Sequence, residues 1–150
     1  MTQVQLLKDL VGFTKDVLRN QKYIDGDENE KEIEVKAGFL KQKEMRDNTY
    51  DHYVLIRVLD GESDHEESTV KVRFIIWAAD RDTMEGWITV LNILEDIRQA
   101  ILSRTIICKR YTYNDPVKWV VEEDEAFPAY FATLDVQFVI PNVGRTDLEF

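Results

Sequence analysis

Between Val70 and Leu102 the hydrophobic period of the sequence changes once. Up to Trp77, Val70, Val72, Phe74 and Ile76 alternate with Lys71 and Arg73. From Trp87 onward the apolar residues fall at every third or fourth position, at Trp87, Val90, Leu91, Leu94, Ile97 and Ile101, with Glu95, Asp96, Arg98 and Gln99 opposite them. A period of two belongs to a strand and one of 3.6 to a helix. Each segment is apolar along one side only, so each must bury that side against another layer. Ile75 and Trp77 make the end of the strand apolar on both sides, which predicts cover on both faces. Asp82, with Glu85 three positions on, predicts an N-cap and its reciprocal partner, and a helix over about Thr83–Leu102. Gly86 then falls inside that helix, where glycine costs about 1 kcal/mol relative to alanine. That cost predicts a close approach by the sheet or a neighbouring subunit, with Trp87 beside it as an anchor.

The same two periods run through the rest of the chain. Thr2 with Gln5 forms a capping-box pattern ahead of a first helix, whose apolar side is Leu6, Leu10, Phe13 and Val17 with Leu7, Val11 and Leu18 beside them. Asp25-Gly26 marks a turn, and the acidic run up to Glu34 stays in solvent. A strand follows with Ile33, Val35, Ala37 and Phe39 on one side, then a polar loop over residues 41–49. His52, Val54, Ile56 and Val58 alternate with Tyr53, Leu55, Arg57 and Leu59, and a polar acidic connection over Asp60–Ser68 leads into the Val70 strand.

After the second helix, residues 105–113 are β-branched and aromatic and read as a strand. Asn114-Asp115-Pro116 reads as a turn, and Val117, Trp119 and Val121 as a second arm. A long strand carries Tyr130, Ala132, Leu134, Val136, Phe138 and Ile140 on one face, and residues 141–150 read as a loose polar tail. The order is helix, three strands, helix, three strands. Short polar connections predict antiparallel neighbours. The expectation is one α+β domain over residues 1–150: a two-layer sandwich whose mainly antiparallel sheet of about six strands carries two long helices on one face. Its open face and edges invite a partner.

Composition narrows the function. The net charge of −10 argues against nucleic-acid phosphates as the main ligand. No apolar run is long enough to span a bilayer, and the first residues lack the basic-then-apolar layout of a signal peptide. Cys108 is the sole cysteine, which excludes an internal disulfide and fits a reducing compartment. The two histidines, His52 and His65, form no metal-ligand spacing with it, and Asp64-His65-Glu66 lacks the spaced oxygens and glycine of a calcium loop. No glycine-rich phosphate cradle occurs. Asp80-Arg81-Asp82 reads as the capped start of a helix rather than a reaction centre, and Glu122–Glu125 as a solvated turn. These readings predict a protein that is not an enzyme and has no cofactor and no metal.

Several weak motifs then come in one order: a strand ending in "WAAD", Gly86, the helix "LNILEDIRQAIL", and a segment with Trp119, Glu123, Asp124, Phe127, Pro128 and Ala132 leading to a long strand that ends near Pro141. In this the chain resembles the tail terminator, or tail completion, proteins of long-tailed bacteriophages and phage-tail-like particles. The resemblance covers about Val70 to Pro141 in motif and the whole chain in element order. It implies helices packed on a mainly antiparallel sheet. It also implies a ring, usually of six subunits, that sits on the last ring of tail tube protein and stops tube growth. That ring offers a surface to the head connector or neck, or to the sheath end in contractile tails, with no specific nucleic acid and no membrane as partner. The chain would then be assembled in the bacterial host cytoplasm and reside in the virion tail or phage-like particle.

On this reading the polar loops reach a neighbouring subunit or the tube. Lys41, Lys43 and Arg46 belong to one such loop, Asp60, Glu62 and Asp64 to a second, and Glu123 and Asp124 to a third, with Gly86 and Trp87 at a tight contact. An acidic inner wall would keep passing DNA from sticking. The alternatives are a head–tail connector or neck protein, and a small non-enzymatic α+β binding domain with a ligand between sheet and helices.

Overall fold

The computed structural model describes residues 2–24, 30–39, 52–79, 86–122 and 129–140. Over these residues it is an α+β sandwich of two helices against a mixed five-stranded sheet, with a small two-stranded hairpin beside them.

The first helix, α1 (Gln3–Leu18), starts where its sequence says it should. The Thr2 side chain accepts a hydrogen bond from the Gln5 N–H at 3.1 Å. The reciprocal half of the capping box does not form, because the Gln5 amide donates to Asp9 instead. Leu6, Leu10, Thr14 and Leu18, four residues apart, are the buried row. Strands β1 (Lys22–Ile24) and β2 (Glu30–Glu32) pair antiparallel, so part of the acidic run read as solvated connection is a hairpin arm. The Asp25-Gly26 turn lies outside the described residues.

The main sheet is built from β3 (Glu34–Ala37), β4 (His52–Ser63), β5 (Ser68–Ala79), β6 (Thr112–Val121) and β7 (Ala129–Ile140), in the order β3-β4-β5-β7-β6. All neighbours are antiparallel except β3 and β4. The sheet is thus mainly antiparallel, as expected, and β3 and β4 are separated in sequence by residues 38–51, a length compatible with a parallel crossover. Helix α2 (Gly86–Leu102) lies over β5 and β7, and α1 over β3 and β4.

The alternation read from the sequence sets the faces. Val54 and Ile56 of β4, Val72, Phe74, Ile76 and Ala78 of β5, and Ala132, Leu134, Val136 and Phe138 of β7 are buried beneath Val90, Ile93, Leu94, Ile97 and Ile101 of α2 and Leu6 and Leu10 of α1. At about 25 cal/mol per Å2 of apolar surface removed from water, this interleaved layer is what holds sheet and helices together.

Two readings of the C-terminal third need correction. Residues 105–111 are not a strand. Ile107 and Tyr111 are bridged across a tight turn in which Cys108 and Lys109 have positive φ, 55° and 62°. The β-branched composition reflects burial of Ile107 at the turn's base instead. Nor do Asn114-Asp115-Pro116 separate two arms. They lie inside β6, at the register shift between Asn114 and Lys118. Proline, with no N–H to give, is tolerated at such an irregular place on an edge strand. Among the described residues the sheet therefore has two strands after α2, where three were expected.

Candidate functional site

The helices cover one face of the sheet, and among the described residues no second layer covers the other. Odd-numbered positions of β5, of β7 and of β4 up to Arg57 point there. Tyr53 opposes Trp77, which opposes Phe131, in direct cross-strand register. The three rings form a stack, with centroids 5.6 Å apart at 12° between Tyr53 and Trp77, and 6.3 Å apart at 21° between Trp77 and Phe131. Ile75 and Trp77, expected to be covered on both faces, are half-buried by this row rather than by another layer. Leu55, opposite Ile75 on β4, is only 4% exposed.

The row lines a concavity of about 370 Å3, closed on its β3 side by Phe39 and Arg57. Phe39 is 74% exposed, and the Arg57 guanidinium lies over its ring at 3.8 Å while the Arg57 Nε donates to the Gly38 carbonyl at 2.8 Å. Burial raises the pKa of the Tyr53 hydroxyl, against the pull of nearby Arg57. An apolar floor, stacked rings and one oriented cation can hold an apolar or aromatic group that carries negative charge nearby.

The other end of the same face is polar. Arg73 forks onto Asp135 at 2.8 and 2.9 Å, and Asn114 donates to Gln137 at 3.1 Å. Beyond it the β4–β5 hairpin ends in the exposed residues Asp60–Glu67. Asp64 shapes that tip. Its Oδ1 accepts from the Glu66 and Glu67 N–H groups at 2.8 Å each, and the bonds from Glu67 and then Glu66 lower its pKa.

The residues picked from sequence are therefore not one site. Asp60, Glu62 and Asp64 are on the hairpin end. Gly86 is buried at the start of α2, and Trp87 next to it is 48% exposed on the helical layer, with Ile88 also exposed. Lys41, Lys43, Arg46, Glu123 and Asp124 lie outside the described residues, as do Asp80-Arg81-Asp82. Sequence reasoning did not pick out the Tyr53–Trp77–Phe131 row. The signal was present: three aromatic residues fall at the solvent phase of their strands.

Cys108, read as part of a strand, sits in the turn after α2. Burial and then the Asp9 carboxylate raise its pKa, which keeps it a thiol. Among the described residues no group of three or more His, Cys, Asp and Glu stands together as a metal ligand set, and no helix is long and apolar enough to cross a membrane.

No family model matches the sequence, and no curated protein does. Solved structures do. One of them, a protein whose own description gives no function, aligns over 95% of this chain and 95% of its own length at a TM-score of 0.50 and 9% identity. The likeness is one of fold.

Proposed function

We propose that the chain is a structural assembly protein whose copies close into a ring on the end of a phage or phage-like tail tube. The ring ends tube elongation and presents a joining surface to the head connector or neck, or to the sheath. The reading rests on the resemblance to tail terminator proteins, and one observation in the structure carries it furthest. Large exposed apolar side chains occupy two different surfaces on opposite layers: Phe39 beside the aromatic row on the open sheet face, and Trp87 with Ile88 on the helical layer. A closed ring needs two unlike patches on each subunit, each fitting the other on its neighbour. Large aromatic side chains exposed in this way are suited to anchor such contacts.

The β4–β5 hairpin supports the same reading. Its acidic end, Asp60–Glu67, stands exposed and is held in shape by Asp64, as an arm toward a neighbouring subunit or the tube would be. The test is electron microscopy of the purified chain, alone and mixed with tail tubes. End-on rings and capped tube ends support the proposal. Dispersed single subunits and bare tube ends count against it.

The concavity of about 370 Å3 favours a second reading, a small α+β binding domain. Its ligand would sit on the open face rather than among the buried apolar residues between sheet and helices.

A further inference from the structure

Strand β6 is one edge of the five-stranded sheet, and among the described strands it pairs with β7 alone. Its first half is blunted by Pro116 and by the register shift between Asn114 and Lys118. Its second half is regular. Lys118, Trp119, Val120 and Val121 oppose Asp135, Leu134, Thr133 and Ala132, and the Glu122 N–H donates to the Phe131 carbonyl at 3.1 Å. In an antiparallel ladder the N–H and C=O of one residue point to the same side, and the side alternates along the strand. Glu122 faces β7, so Val120 and Lys118 do too. The N–H and C=O of Trp119 and Val121 are left pointing out of the sheet. The side chains here are as open as the backbone: Trp119 is 51% exposed and Val120 is 54% exposed, on opposite faces of the strand.

We propose that this edge pairs antiparallel with the same edge of a second copy of the chain, about a two-fold axis through Val120. The outward backbone groups and the charges select that register. A two-fold pair must have its axis at a residue, because an axis between residues would oppose an outward-facing group to an inward-facing one. An axis at Lys118 sets two ammonium groups face to face. One at Trp119 opposes Lys118 to Val120, and one at Val121 opposes Glu122 to Val120. The axis at Val120 opposes Trp119 to Val121 of the second copy, the residues whose free N–H and C=O groups then bond to each other. It also opposes Lys118 to Glu122 of the second copy on the open face, where both are exposed. Val120 meets itself in a non-hydrogen-bonded pair, the closer of the two pair types. The result is a continuous ten-stranded sheet, twice the five strands of one copy. The contact is independent of the ring reading, which uses Trp87 and the aromatic row. In a ring protein it joins subunits of two rings.

Cross-linking tests the register directly. In a Cys108→Ser background, Val120→Cys places two thiols opposite each other at about 4.5 Å between Cα atoms, within disulfide range. Mild oxidation should give a covalent dimer rapidly, while Thr112→Cys, on the same strand but far from the axis, should not. In parallel, Lys118→Glu and Glu122→Lys should each weaken self-association about tenfold or more, and the double exchange should restore it. The proposal is overturned if folded Val120→Cys fails to cross-link, if Thr112→Cys cross-links as fast, or if the double exchange stays as weak as the single changes.

Discussion

Arg57 and Arg73 face each other across β4 and β5, and each guanidinium is held by a partner on its far side. Arg57 reaches the Gly38 carbonyl and the Phe39 ring, and Arg73 forks onto Asp135 of β7. Like charges directly opposite destabilise a sheet, so the two outward partners resolve a conflict built into the sequence. They also divide the open face into an aromatic end and a polar end.

Asp135→Asn should therefore cost more than an exposed ion pair. It removes the fork and returns Arg73 to the neighbourhood of Arg57. The expected loss is about 1 kcal/mol in urea unfolding, and about half of it should vanish in an Arg73→Gln background. Strict additivity of the two changes would contradict the pairing.

Two glycines should respond in opposite directions. A Cβ at Gly61 would stand 2.8 Å from the Thr69 carbonyl oxygen, a backbone atom that cannot step aside. Gly61→Ala should destabilise by about 1–2 kcal/mol. At Gly12, exposed within α1, a Cβ meets nothing within 4 Å. Gly12→Ala should stabilise by about 0.5–1 kcal/mol through helix propensity and a less free unfolded chain.

Tyr111 anchors the turn after α2 to α1. Its ring is fully buried and its hydroxyl donates to Asp9 Oδ2 at 2.6 Å. Burial, and then the Asp9 carboxylate, push the hydroxyl pKa from 10.0 up to about 12. The folded state thus holds this proton more tightly than the unfolded chain does. The stability it contributes is complete below pH 10 and is lost as pH rises from 10 to about 12. Tyr111→Phe should cost about 1–2 kcal/mol at neutral pH and flatten the alkaline fall, as followed by circular dichroism against pH.

The two-layer fold was legible because alternation and helical period are local: the core rows of β5 and β7 could be read from their alternation, and that of α2 apart from Trp87, which is exposed, Leu91, which is half-buried, and Ile93, which is buried but was not picked out. What was not legible depends on distant partners. Nothing in the Glu34–Ala37 segment says that it runs parallel to β4. Asp9, on the polar side of α1, shows its role only once the fold brings Tyr111 to it. The strand-like residues 105–111 fold into a turn because Ile107 and Tyr111 bury together. The aromatic row was half legible: its phase could be read, its register could not.

Trp87 and Ile88 separate assembly from stability. Both are exposed on α2, so Trp87→Ala with Ile88→Ser should leave the melting temperature within about 2 °C. Subunit association should weaken by about tenfold or more if they form one side of the ring contact. A matching loss from Phe39→Ala, with no further loss on combining the two, would place both residues in one interface.

The most direct measurement is the shape and end-binding of the assembled chain. Negative-stain electron microscopy of the 17.6 kDa protein at high concentration, with and without tail tubes, should show closed rings of about six subunits end-on and density capping one end of each tube. Particles no larger than a pair of subunits, together with uncapped tubes, would contradict the account.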